Sequence, residues 1–363
     1  MSLAFRNEID IKVWLSGSTI ADLAILPRSR PPLTRLFAGK PVAALSSVLP
    51  RLFSLCSVAH QAAYLAAVES ARGEDAAPDI VQRRITAVIA ERLTELLRGL
   101  FVGRLTLDGA SATAVRAMMQ AASVLGGGIS EHGVGTSRRE AVSQIRAALN
   151  ALGITSEQAT PAPGSALAAH LASCDGDVLL PLAAEQSFLS ASDDLDVVTR
   201  LLADGAAYSD APELHGRVPE TGIWARRMKR EPVPTGVGPS ERLKARIAEA
   251  ARLCAWLEDD ETSREDHVVE SYRLGPGTGA AAVECARGRL YHAVELDGAD
   301  RIVRFEFLAP TEWNFHSRGP LVQSLKGSAL AAGRQGQDAV RTLVGSFDPC
   351  VGFSLSFHEA GHA

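Results

Sequence analysis

Two cysteines stand in surroundings that could give their sulfurs chemistry. Cys56 is followed four residues later by His60, in Cys56-Ser-Val-Ala-His60. On a helix that spacing puts thiol and imidazole on one face, where the ring can hydrogen-bond a thiolate or support its metal. Taken alone, the pair also fits a small buried thiol beside a hydrogen-bonded core histidine. Cys350 follows Asp348-Pro349. An aspartate N-cap with proline at the first helical position would start a short C-terminal helix and place Cys350 in its first turn, where free backbone N–H groups favour an anion. Its thiol would then titrate below the ordinary range, as a metal ligand requires. A cysteine that merely packs at a helix start fits the same residues.

The elements that must position these residues divide into a strand-like start, a long helical middle and a strand-rich region near the end. Ile9, Ile11, Val13 and Leu15 alternate with polar or amphipathic neighbours and Ser16-Gly17-Ser18 turns the chain, so a hairpin opens the fold. From about 43 to 73 the chain is rich in Ala and Leu. The small residues Ala59, Ala62, Ala63, Ala66 and Ala67 suit a helix packed tightly on its neighbours, with Gly73 as its stop. A second helix runs over about 80–100 with Ile85, Val88, Ile89, Leu93, Leu96 and Leu97 on one face. Further helices are expected near 111–124, 138–151, 156–172, 192–204 and 240–258. Thr160-Pro-Ala-Pro-Gly164 and Glu231-Pro-Val-Pro-Thr-Gly236 read as loops, and alternating segments over 281–308 turn at Leu296-Asp-Gly-Ala-Asp300.

Composition narrows the functional classes. A chain of 363 residues with 46% hydrophobic content can bury a substantial core. Its formal charge of −5 leaves no basic stripe of the kind that phosphate neutralisation needs, so nucleic acid is not an expected partner. Glu8, Asp10, Lys12 and Asp22 interrupt the start, which lacks a basic segment followed by an apolar run, and no later apolar run is long enough to span a bilayer. The expectation is a cytoplasmic protein without a membrane partner. Five widely spaced cysteines, an odd number, argue for reduced thiols rather than a disulfide framework.

The two cysteine segments resemble the paired metal motifs of nickel-iron hydrogenase large subunits, R-x-C-G-x-C-x-x-x-H and D-P-C-x-x-C-x-x-H. Here they read Arg51-Leu-Phe53-Ser-Leu-Cys56-Ser-Val-Ala-His60 and Asp348-Pro-Cys350-Val-Gly-Phe353. Phe53 and Phe353 stand where two of the four thiolates belong, and Ser356 stands for the last motif histidine, with His358 and His362 beyond it. Other segments follow in the family's order. Arg35 to Pro41 and Ala71-Arg72-Gly73 flank the first motif. Pro219-Glu-Thr-Gly222 is similar to the E-T-G-x-x-A-R segment, and Glu284-Cys-Ala-Arg287-Gly288 resembles E-A-P-R-G-x-x-x-H. Ala309-Pro-Thr-Glu-Trp313-Asn314-Phe-His-Ser-Arg318 resembles P-T-T-W-N-x-x-P-R-D, with Gly319 for its aspartate.

Shorter motifs with this pattern of losses look like the HupK/HoxV family of hydrogenase accessory proteins. The resemblance implies an α/β (α+β) fold like that of a hydrogenase large subunit, as one domain over 1–363, with a helical core, an N-terminal hairpin and a strand-rich C-terminal region. It also implies a non-enzyme: a scaffold that receives an Fe(CN)2(CO) fragment from the Hyp maturation proteins and passes it to the hydrogenase large subunit. Cys56 and Cys350 would hold the iron, possession of two sulfurs being too few for nickel. His60 and Arg318 would support it, Arg318 by donating to a cyanide, while Phe53 and Phe353 line the pocket. Two other roles fit the same resemblance: a diverged catalytic subunit with an altered metal site, and a metal-free decoy that binds accessory proteins.

Overall fold

The computed structural model describes residues 8–26, 32–102, 105–125, 135–155, 160–174, 187–231, 238–258 and 267–360. Strand β1 (Glu8–Ser16) buries Ile9, Ile11 and Val13 and leaves Asp10 and Lys12 partly exposed, the two-residue period its sequence predicts. It turns at Gly17 into the antiparallel β2 (Thr19–Leu26).

The Ala- and Leu-rich stretch is three helices rather than one: Val42–Ser46, Leu49–Leu52 and Ser57–Arg72. The break before the third comes from Cys56, whose φ of 55° and ψ of 33° are left-handed and redirect the chain. Gly73, also left-handed, ends the third helix with its N–H on the carbonyls of Glu69 and Ser70. Behind it lies Pro78–Phe101, which buries Val88, Ile89, Leu93, Leu96 and Leu97 on one stripe as expected. Gly109–Leu125, Gly135–Ala151, Asp194–Asp204 and Pro239–Glu258 stand where periodicity predicts helices, whereas the helix expected over 156–172 begins only at Ala166, capped by the Ser165 side chain, and runs to Ser173. The first residues of the helix expected over 156–172, residues 232–236 of the second loop and His362 lie outside the described residues.

β3 (Val269–Gly275), β4 (Thr278–Cys285), β5 (Gly288–Leu296) and β6 (Ile302–Leu308) form an antiparallel meander in the order β3-β4-β5-β6. The Ser57–Arg72 helix lies on this sheet. Six of its alanines are buried, and β4 turns Gly279 and Ala281 toward it. Small residues on both sides let the backbones approach closely.

The helix expected after Pro349 is instead β7 (Gly352–Glu359), which runs parallel to β1 with Ile9 opposite Phe353 and Ile11 opposite Leu355. Two physical reasons decide this. Asp348 takes a left-handed φ of 53°, so it does not act as a helix N-cap, and Phe353, Leu355 and Phe357 alternate with the period of a strand. The resulting sheet has the order β2-β1-β7, so the two ends of the chain share one hydrophobic cluster with Leu321, Leu325, Val340 and Leu343.

Gly279 is where the helix and β4 meet most closely. A Cβ there would lie 2.3 Å from both the Ala67 carbonyl oxygen and the Ala71 nitrogen, atoms of backbone that has no flexible end to move aside. Gly279→Ala should therefore lower stability by about 1–3 kcal/mol, as overpacking does. Urea unfolding would read this as a lower midpoint at unchanged slope, and an unchanged midpoint would count against the packing described.

Candidate metal centre

Three thiols meet rather than two. Cys56 caps the Ser57–Arg72 helix, Cys285 ends β4, and Cys350 lies between the Arg334–Ser346 helix and β7. The thiol of Cys56 is in hydrogen-bonding contact with those of both Cys285 and Cys350, and Cys350 also takes a hydrogen bond from Thr311. Cys56 and Cys285 are buried and Cys350 is half-buried; all are free cysteines. The expected depression of the Cys350 thiol is reversed. Its hydrogen bond with Cys56 and its burial push it well up from the ordinary range, against the pull of Arg287 and Thr311. Cys56 is likewise pushed well up, chiefly by its hydrogen bond with Cys285, while the Cys350 contact and Arg287 act the other way. The thiols of Cys56 and Cys350 therefore hold their protons, which a soft metal ion would have to displace.

The arginine brought to the thiols is Arg287, not Arg318. Arg287 Nη1 donates to Cys56 Sγ at 3.4 Å, Nη2 to Glu95 Oε2 at 3.2 Å, and Nε lies 3.6 Å from Asp348 Oδ2. Burial opposes its charge, but the carboxylates of Asp348 and Glu95 more than offset this and raise its pKa. Arg318 is largely exposed and pairs with Glu213 at the surface. By sequence the role falls to Arg318, the arginine kept in its motif, and Arg287, kept in the 284–288 segment, has none.

The surrounding backbone is pinned. Glu91 takes the role a capping side chain would have at the start of the cysteine helix, accepting from the N–H groups of Val58 at 2.8 Å and Ala59 at 2.9 Å. Its burial raises its pKa, and those two bonds oppose the rise. Arg226, held by Glu249 and Glu284, donates to the carbonyl oxygens of Cys285 at 3.3 Å and Ala286 at 3.1 Å. Gly288 has φ +132°, and a Cβ there would lie 2.4 Å from Thr221 Oγ1 and 2.8 Å from the Gly222 nitrogen. Thr221 in turn exchanges two 3.0 Å hydrogen bonds with Asn314. The segments carrying Thr221, Cys285, Thr311 and Cys56 are thereby interlocked.

His60 does reach the interior, but the contact its imidazole makes is with another histidine. His60 Nδ1 lies 2.9 Å from His292 Nε2, and the ring stacks on Phe53 with centroids 3.6 Å apart. Cys56 is not within the helix; it receives the His60 backbone N–H on its carbonyl at 3.0 Å. Phe53 therefore packs with His60 and Phe307 rather than against the thiols. Phe353 belongs to the β1–β7 cluster and lines a separate cleft of about 300 Å³ with His170, Cys174 and Arg246. Ser356 and His358 lie on β7, hydrogen-bonded to each other at 3.0 Å.

A cavity of about 20 Å³ lies against Arg287 and Asp348, lined also by Thr221, Gly222 and Trp224. That is room for about one water molecule. Among the described residues no group of three or more His, Cys, Asp or Glu side chains is already set as a metal cage. Nor is any helix among them long and apolar enough to cross a membrane.

Burial holds His292 down at about 3, and burial together with His292 holds His60 well below the ordinary histidine value. Both folded-state values lie below the unfolded one, so at mildly acid pH the unfolded chain binds protons that the folded chain does not. Stability is then complete above about pH 6.5 and falls as the pH drops, by about 2 kcal/mol near pH 5 from His292 alone. Urea unfolding at several pH values should show this fall. A His60→Gln/His292→Gln variant should give a flatter profile whatever its absolute stability, and equal slopes would remove the pair from the account.

Comparison with known proteins places this arrangement in context. Residues 243–355, which include Cys285, Arg287 and Cys350, match the nickel-dependent hydrogenase family. The nickel-iron-selenium hydrogenase of Desulfovibrio vulgaris Hildenborough has a similar fold, with a TM-score of 0.62 at 14% identity over 93% of this chain and 95% of that one. An NAD+-reducing nickel-iron hydrogenase gives a TM-score of 0.57 at 16% identity, over 95% of this chain and 96% of its own. The fold is that of a hydrogenase large subunit, as expected. Among sequences, the hydrogenase expression/formation protein HupK of Bradyrhizobium diazoefficiens is 69% identical over the full length of both chains. HupK of Rhizobium leguminosarum bv. viciae is 34% identical over 98% of each, and HoxV of Cupriavidus necator is 28% identical over 91% of this chain and 92% of its own. With two HupK proteins matched along essentially their whole length, this chain belongs to the HupK/HoxV family of hydrogenase expression/formation proteins.

Proposed function

We propose that this protein is a non-catalytic scaffold of hydrogenase maturation, which holds an Fe(CN)2(CO) fragment as cargo on Cys56 and Cys350 and passes it to the hydrogenase large subunit. The observation that carries the reading is the contact between these two thiols, brought from opposite ends of the chain to one buried guanidinium. The expression/formation names of its relatives support the broader role in maturation. On this reading the Hyp maturation proteins supply the fragment, and the exchange takes place in the cytoplasm.

The chemistry follows from the donor set. Iron carrying two cyanides and one CO already has three strong-field ligands, so soft sulfur donors complete its environment, whereas a four-sulfur nickel site is not provided for. Arg287 can offer a cyanide nitrogen the planar N–H fork first assigned to Arg318. The cavity beside Arg287 is too small for the fragment, so loading requires the centre to open.

Protein purified anaerobically from its native host should contain iron, little or no nickel, and infrared bands of metal-bound CO and CN. Stoichiometric nickel with hydrogen uptake would replace the scaffold by a diverged enzyme. Cys56→Ala and Cys350→Ala should each abolish the bands and lower the yield of active hydrogenase while leaving the protein folded. The double variant should be little worse than either, because the two sulfurs act as a unit. Normal maturation without both cysteines would leave only a protein-binding role.

A further inference from the structure

We propose that Cys285 is a third sulfur donor to the iron fragment, an inference that rests on the cargo site proposed above. The sequence motifs pair Cys56 with Cys350 and leave Cys285 out. Cys285 stands in the 284–288 segment, next to Ala286, the neighbour of Arg287, and outside both cysteine motifs.

Three observations carry the assignment. The Cys285 thiol is buried and touches that of Cys56, which also touches Cys350. Its main chain is fixed by Arg226 on the carbonyls of Cys285 and Ala286, and by the close seat of Gly288 against Thr221 and Gly222. Arg287, two residues along, donates to the Cys56 sulfur, so one short segment supplies both a thiol and the cation that faces the cluster. The two remaining cysteines lie elsewhere: Cys254 is buried in the Pro239–Glu258 helix, and Cys174 lies 4.0 Å from His170.

Low-spin iron(II) takes six ligands, and the two cyanides and CO leave three positions. Cys56 and Cys350 fill two of them and Cys285 is placed to fill the last. Each sulfur that binds exchanges an S–H bond for an Fe–S bond and releases its proton to solvent; no electron moves. The thiols are not preset as a cage, but a cysteine has one side-chain torsion to adjust, and Cys56 already touches both others.

The test uses the full chain under anaerobic conditions, comparing wild type with Cys285→Ser, Cys285→Ala and, as a control away from the centre, Cys174→Ser. Circular dichroism establishes that each is folded. With the metal-free protein, cadmium ion serves as the probe, because soft thiolates bind it and give a charge-transfer absorbance that scales with their number. Absorbance per bound cadmium should fall by about a third in both Cys285 variants and stay unchanged in Cys174→Ser. In the iron-loaded protein, both Cys285 variants should shift the CO band and lose iron several-fold faster. Equal cadmium absorbance together with unchanged CO position and retention in folded Cys285 variants overturns this inference alone. Absence of CO and CN bands in the wild type overturns the cargo reading and this inference with it.

Discussion

Burying the guanidinium of Arg287 costs several kcal/mol, and the cost is met only because partners arrive from three separate parts of the fold. Cys56 comes from the turn before the Ala-rich helix, Glu95 from the helix behind it, and Asp348 from the segment leading to the last strand. None of these elements contributes a complete site. The charge in their midst makes their meeting cooperative: displacing any one leaves either a cation or a carboxylate poorly compensated in a low-dielectric interior. The contact of Cys56 with Cys350, and hence the whole centre, depends on that arrangement.

The backbone around this cation is unusual where the thiols attach. Cys56 and Asp348 both adopt left-handed conformations that non-glycine residues seldom take. Such conformations persist when neighbouring structure over-determines them, and they concentrate at functional sites. Glu91 holds the residues just after Cys56, while Arg246 holds the carbonyl of Ser346 at 2.8 Å and lies 3.8 Å from Asp348. The Arg226–Glu249–Arg92 cluster supplies the same support behind Cys285. Charged residues buried in this number are not an efficient route to stability. Here they determine where three short segments run.

A fold does not carry its chemistry with it. This chain keeps the architecture of a hydrogenase large subunit, yet phenylalanines stand where the resemblance places two sulfurs, and the thiols of Cys56 and Cys350 are pushed well up from the ordinary range, with little free volume nearby. Phe53 stacks on His60 and packs against Phe307, whereas Phe353 serves the β1–β7 core. The two positions are equivalent in the motifs but not in space. One joins an aromatic cluster under the cysteine helix, and the other helps seal the sheet that joins the chain's ends.

The sequence by itself determined the hairpin, the main helices and the meander, because each is written in local periodicity: alternation in Ile9, Ile11 and Val13, a stripe through Val88 to Leu97, small residues after Cys56. It also marked Cys56 and Cys350 as a pair, through two motifs whose order and flanks resemble one family. Local reading failed where long-range contacts override it. Asp348-Pro349 has the chemistry of a helix start, but parallel pairing with β1 and a left-handed Asp348 make the residues that follow a strand. Cys285 and Arg287 join the centre only because β4 ends against Thr221, Gly222 and the cysteine helix. Arg318, the arginine to which the sequence reading gave the role, lies at the surface with Glu213. Which titratable groups share one buried space is a property of packing between distant segments, and only the tertiary structure decided it.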